Sequence, residues 1–254
     1  MIPRSNAFAT YRELSQAHIN FVVLVCHAVP ALRADLATPP TSLSNAPDYF
    51  KPTSKTVLNG YVAHYRGDLG RTTLVAIFSY FESYVKEVLS EIISFHGGAK
   101  ELKALALARS TKFLTKPPAD ILSSKRKLQE PAKKELKFKY QKHSKTLDNK
   151  GFKFPSELLA HFGVVHMLSK ADEKRGMRAW DVPDILADCL LFPLSATDRA
   201  HFERVRSVRN KIAHGKKTTV TLEESLRTAS ELHALASKID NHLVEHFFVL
   251  QTYV

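Results

Sequence analysis

Two cysteines in 254 residues, Cys26 and Cys189, leave no material for a disulfide framework or a cysteine-built zinc site. They form no CxxC pair and each lies beside apolar residues, so both read as inert core thiols and a cytoplasmic location is expected. Nine glycines are few for a fold built on tight turns, and repeated alternating apolar–polar runs are missing, which argues against a sheet. The chain also lacks a glycine-rich phosphate loop, a serine or cysteine nucleophile motif and a paired-carboxylate motif. No secretory leader is read at the N-terminus. The longest apolar run, Ile19 to Val29, is too short for a membrane span and contains Asn20 and His27, so no membrane partner is expected.

What the chain has is helix-forming composition and positive charge. Leucine, alanine, glutamate and lysine recur in long stretches, and 44% of the residues are apolar. The formal net charge is +12, a balance that points to a polyanion, most simply a nucleic acid. The charge is unevenly placed. Between Lys100 and Lys153 stand 14 lysines and 2 arginines against 5 acidic residues, a local net charge of +11. Phe113, Phe138, Tyr140, Phe152 and Phe154 are interleaved with those cations. The segment reads as short helices on a basic insertion at about 100–153. Lysines would follow phosphates and aromatic rings would stack on unpaired bases, or the rings would pack on the body of the fold. Lys125, Arg126, Lys127, Lys133 and Lys134 are its densest charge and the expected RNA-binding set.

The periodicity predicts an all-α chain, a single domain over 1–254 with about five or six helices. A first helix runs from about Ala7 to Val29, where Pro30 is expected to kink or end it. A proline- and serine-containing connection, Thr38 to Ser54, follows. The clearest helix is Asp68 to Phe95, with Asp68 as its N-cap and Gly97-Gly98 ending it. Its apolar stripe is Leu74, Phe78, Phe81, Val85, Val88 and Ile92, with Glu82 beside it. Helices are expected near Ser156–Leu168 and Val182–Leu191, then from about Thr197 to His214 and from about Leu222 to Phe248. Thr221 and Glu224 read as a capping box for the last.

The helix ending at His214 carries the candidate chemistry. Phe202, Val205, Val208 and Ile212 form its buried stripe, and Asn210 and His214 lie one turn apart on one face. Arg209 and His214 are five apart, about 140° around an ideal helix. They converge on one substrate only if the helix end frays at Ala213-His214-Gly215 or Arg209 reaches around. These residue types suit RNA cleavage without a metal. Histidine moves a proton near neutral pH, arginine grips a phosphate with two prongs, and asparagine orients the histidine or the ribose. The alternative is structural: Arg209 in a surface ion pair and His214 capping a helix C-terminus.

The run Arg209-Asn210-Lys211-Ile212-Ala213-His214-Gly215, late in a helical chain and followed by one more helix, resembles the signature of the HEPN superfamily. The earlier helix Leu74 to Tyr84 is similar to the HEPN helix that carries an acid near the motif. The resemblance implies an HEPN-like helical bundle in which Arg209, Asn210 and His214 are the motif residues and Glu82 the supporting acid. It also implies a homodimer with two motifs facing one cleft. The expected activity is metal-independent endoribonuclease action on RNA, with no cofactor, in a toxin–antitoxin or anti-phage setting. An antitoxin or another defence-system protein is the expected further partner. The alternative is a non-catalytic HEPN module that binds RNA or a partner protein. Members silenced by nucleotidyl transfer carry a tyrosine two residues after the histidine. Lys216 stands there, so the resemblance does not extend to that regulation.

Three smaller features remain. His242 and His246 have a spacing that can bind zinc, but no carboxylate pattern completes a site, so no metal is expected. His161 and His166 are weaker still. Trp180 reads as a packed anchor.

Overall fold

The stripe on the second helix becomes the centre of the molecule because its apolar side chains leave water on three sides. The computed structural model describes residues 4–37, 55–105, 164, 167–168, 177–190, 192–216 and 218–248. Among them every regular element is helical. Four long helices are α1 (Asn6–Ala37), α2 (Lys55–Phe95), α3 (Ala196–Ala213) and α4 (Leu222–His246). A short stretch before α3 winds from a 3-10 turn, Ala179–Asp181, through Val182–Asp184 into a π-helical turn, Ile185–Cys189. α2 packs against α1, α3 and α4, and all six residues of its expected stripe are buried. Phe202 of α3 lies 5.3 Å from Phe78 and 6.0 Å from Phe81, ring centre to ring centre. Leu232, Leu235, Ile239 and Leu243 of α4 close the core from another side. Each such side chain contributes roughly 1.5–3 kcal/mol by leaving water.

Two expected boundaries are displaced. α1 does not end at Pro30 but continues to Ala37. The proline removes one backbone hydrogen bond, and burial of Leu36 and packing on α2 hold the remaining turns. α2 begins at Lys55, not at Asp68, which sits inside the helix and pairs with Arg71. Gly60, Gly67 and Gly70 weaken the local propensity, but Val62 and Leu69 are buried and the partner helix carries the segment. At Gly70 the glycine has a tertiary reason. A Cβ there would stand 2.8 Å from the Val220 carbonyl oxygen, at the entry to α4. Ser225 Oγ donates to the Gly70 carbonyl at 2.7 Å across the same contact.

The expected terminations hold elsewhere. Gly97 and Gly98 take φ of 84° and 106° after α2. Thr221 Oγ1 accepts from the Glu224 N–H at 3.1 Å and Glu224 Oε2 from the Thr221 N–H at 2.9 Å, so the capping box is formed. The start of α1 is capped by other helices. Glu91 of α2 accepts from the Asn6 and Ala7 N–H groups at 3.0 and 2.9 Å. The fully buried Asp240 of α4 accepts from Ser5 and from Arg4. Both carboxylates face the positive end of the α1 dipole.

Trp180 is not a packed anchor. It is 53% exposed, with the Arg178 guanidinium 4.8 Å above its ring. The full length of α1 also changes the membrane arithmetic, because one 18-residue window reaches mean hydropathy 1.5, long and apolar enough to cross a membrane by length and composition. Phe21, Val23 and Leu24 of α1 and Tyr61 of α2 are each more than half exposed. The connection at 38–54, nearly all of the basic insertion and most of the expected helix near 156–168 lie outside the described residues.

Candidate functional site

The end of α3 places the motif. The helix starts cleanly, with Ser195 Oγ accepting from the Asp198 N–H at 3.0 Å, and is held on α2 by Phe202, Val205, Val208 and Ile212. It stays α-helical to Ala213, and His214 is its C-cap. Gly215, at φ 70°, donates to the Ile212 carbonyl at 2.9 Å, and the Lys216 N–H donates to the Lys211 carbonyl at 2.9 Å. This paired closure is a Schellman motif, which glycine makes accessible. The helix end is therefore tied off rather than frayed in this structure.

That termination separates the motif onto two sides. Asn210 and His214 line a surface cleft of ≈ 270 Å³ together with Arg206, Ser207, Lys211 and Lys216. His214 is exposed there. Arg209 does not line the cleft. Its guanidinium crosses to α2, where Nη2 donates to Glu82 Oε2 at 3.3 Å and the group lies 5.9 Å from the Phe78 ring centre. Both side chains are half-buried. Burial pushes the Glu82 carboxyl above its usual value, and the positive charge of Arg209 pulls it part of the way back. The resemblance thus points to a real pairing of Glu82 with Arg209, although the chain separates them by 127 positions.

Asn210 joins the two sides. Arg209 Nη1 donates to its side-chain oxygen at 3.2 Å. Arginine has no acceptor, so the atom facing it is Oδ1, and the Asn210 amide N–H groups are what remain for the cleft. Asn210 can donate to a phosphate or ribose oxygen there. His214 can move a proton, and Arg206, Lys211 and Lys216 can offset negative charge. Arg206 pairs with Glu203 one turn back, and among the described residues no acidic side chain lines the cleft.

Sequence reasoning missed Arg206, Ser207, Lys211 and Lys216. A signal was present for Arg206: 206, 210 and 214 share one helical row, four apart. The set Lys125, Arg126, Lys127, Lys133 and Lys134 lies outside the described residues.

The two spaced histidines of α4 have packing roles. His242 Nε2 meets the Leu190 carbonyl at 2.8 Å, so that nitrogen donates, and its ring stands edge-on to Phe192 and 4.8 Å from His246. Among the described residues no group of three or more metal-ligating side chains gathers.

No curated protein and no solved structure matches the chain. A family model described as RiboL-PSP-HEPN matches residues 44–245, which takes in α2, α3, the whole 209–214 motif and nearly all of α4. With a helical architecture, a helix-borne Arg-Asn-x3-His motif and a match over most of its length, this chain belongs to the RiboL-PSP-HEPN family of HEPN domains.

Proposed function

We propose that this HEPN domain is a metal-independent endoribonuclease that cleaves RNA at the His214 cleft. The observation that carries the reading is the exposed imidazole of His214 in a cleft lined by Arg206, Asn210, Lys211 and Lys216. His214 would take the proton of a ribose 2′-hydroxyl or give one to the leaving 5′-oxygen. The 2′-oxygen would attack the adjacent phosphorus, the bond to the 5′-oxygen would break, and a 2′,3′-cyclic phosphate would remain. The cations and the Asn210 amide would stabilise the charge on the phosphoryl oxygens.

One histidine serves one proton transfer, and the reaction profits from two. A homodimer that brings two clefts together would supply the second, and the exposed apolar side chains of Phe21 and Leu24, one turn apart on α1, support self-association. We infer a toxin–antitoxin or anti-phage setting, with an antitoxin as further partner, from the HEPN character of the chain.

One observation favours a second reading, a non-catalytic HEPN module that binds RNA or a partner protein. Arg209 is engaged with Glu82 and does not line the cleft. Incubating the protein with total RNA and with tRNA in EDTA separates the two. The ribonuclease reading expects several turnovers and 2′,3′-cyclic phosphate ends, with a dimer by light scattering. Stoichiometric binding without product leaves the binding module.

A further inference from the structure

The cleft holds more positive charge than the family motif accounts for. Arg206, Asn210 and His214 stand at four-residue intervals along one row of α3, and helical rise sets Arg206 and His214 about 12 Å apart along the axis. The Lys216 N–H to Lys211 carbonyl bond holds those two residues side by side at the His214 end. Among the described residues neither ammonium has a carboxylate partner. Arg206 is held beside the row by Glu203, and its buried Nε has no hydrogen-bond acceptor. The cations thus form two groups: a lysine pair flanking the histidine, and an arginine two turns away.

We propose that this row binds two phosphates of one RNA strand, Lys211 and Lys216 taking the phosphate at His214 and Arg206 a neighbouring one. The inference rests on the ribonuclease reading for its substrate class and adds to it the direction of the strand, along α3 from Arg206 toward the Schellman turn. Arg206 is then a positioning residue. It fixes the register of the strand and takes no part in the proton transfer.

The probe is a fluorescein-labelled, mixed-sequence 12-mer of 2′-O-methyl RNA, which has no attacking hydroxyl. Its Kd is measured by anisotropy between 50 and 200 mM salt for the parent, Arg206→Gln, Lys211→Gln/Lys216→Gln and His214→Ala proteins. Each phosphate contact contributes about 0.7 to the slope of log K against log salt for a single strand. The arginine variant is expected to lose about 0.7 of that slope and the lysine pair about 1.4. Each should bind roughly tenfold or more weakly at the lowest salt, as lost charged hydrogen bonds do. His214→Ala should keep the parental slope. Both lysines are exposed, so the pair variant tests the row even if Arg206→Gln, which is half-buried, fails to fold. Unchanged affinity and slope in the lysine-pair variant overturn the proposal, as does a parent that does not bind the 12-mer and prefers an acidic protein. The two readings fail separately. If the parent binds through these cations but leaves unmodified RNA intact, the row stands and the ribonuclease reading falls. If the lysine-pair variant cuts RNA with unchanged KM, the row falls and the ribonuclease reading stands.

Discussion

Arg209 donates to Glu82 at 3.3 Å across the α2–α3 interface, while His214, five residues later, faces a cleft that Arg209 does not line. The separation follows from the 3.6-residue period of a helix that stays regular to Ala213. Glu82 is the acid that holds the motif arginine, and Asn210 links that pair to the cleft through its side-chain oxygen.

This pairing is testable as an interaction. A double-mutant cycle with Glu82→Ala and Arg209→Ala, read by urea unfolding, should give a coupling of about 1 kcal/mol. Both side chains are partly exposed, so solvent screening keeps the value well below that of a fully buried pair. Glu82→Gln, which keeps an acceptor for Arg209, should cost less than Glu82→Ala. A coupling indistinguishable from zero would remove Glu82 as the partner of Arg209.

Two glycines of one helix should respond oppositely to alanine. Gly60→Ala meets nothing within 4 Å and should stabilise α2 by about 0.5–1 kcal/mol through helix propensity. Gly70→Ala forces a methyl group against the Val220 carbonyl and the Thr221 backbone and should destabilise by about 1–3 kcal/mol. Thermal melts of the two variants decide it. Equal behaviour would mean that the Val220 carbonyl does not stand within 2.8 Å of where a Cβ on residue 70 would lie.

Stability should fall as the solution is acidified below about pH 6.5. Burial is the largest cause lowering the imidazole pKa at His18, His201 and His242. Between their lowered folded values and the unfolded value near 6.5, the unfolded chain binds more protons, so stability rises with pH through that window and is lost on descent. Glu82 acts in the opposite sense from about 4.5 upward, because its raised folded value favours the protonated form of the folded state. Urea midpoints at pH 7.5 and 5.5 should differ, and His242→Gln should reduce the difference. A midpoint independent of pH over this range would contradict the burial of the three rings.

Much of this was legible because it depends on local spacing. The stripe on α2, the capping box at Thr221 and Glu224 and the Gly97-Gly98 stop after α2 each follow from periods of three or four residues and from the φ freedom of glycine. What could not be read depends on partners distant in the chain. Asp68 looked like a helix start because the glycines before it are poor helix formers, whereas packing on α1 carries the helix back to Lys55. Pro30 looked like a stop for the same reason. Trp180 looked buried because tryptophan usually is, but it is 53% exposed, with the Arg178 guanidinium over its ring. At the site, the resemblance pointed to Arg209, Asn210 and His214 as candidates, but spacing alone did not show which neighbouring cations would share the cleft. Lys216 came to the His214 end because the Schellman turn reverses the chain there.

The most direct test is the rate of RNA cleavage by His214→Ala. The residue is exposed at a helix C-cap, so the substitution should leave the melting temperature close to that of the parent. Cleavage of a labelled single-stranded RNA is followed under single-turnover conditions in EDTA, with the parent alongside. The parent should cut in EDTA to leave a 2′,3′-cyclic phosphate, and the folded variant should be slowed by about 10²–10⁴-fold, the usual contribution of a positioned acid or base. A folded His214→Ala protein that cuts as fast as the parent would contradict that role for His214.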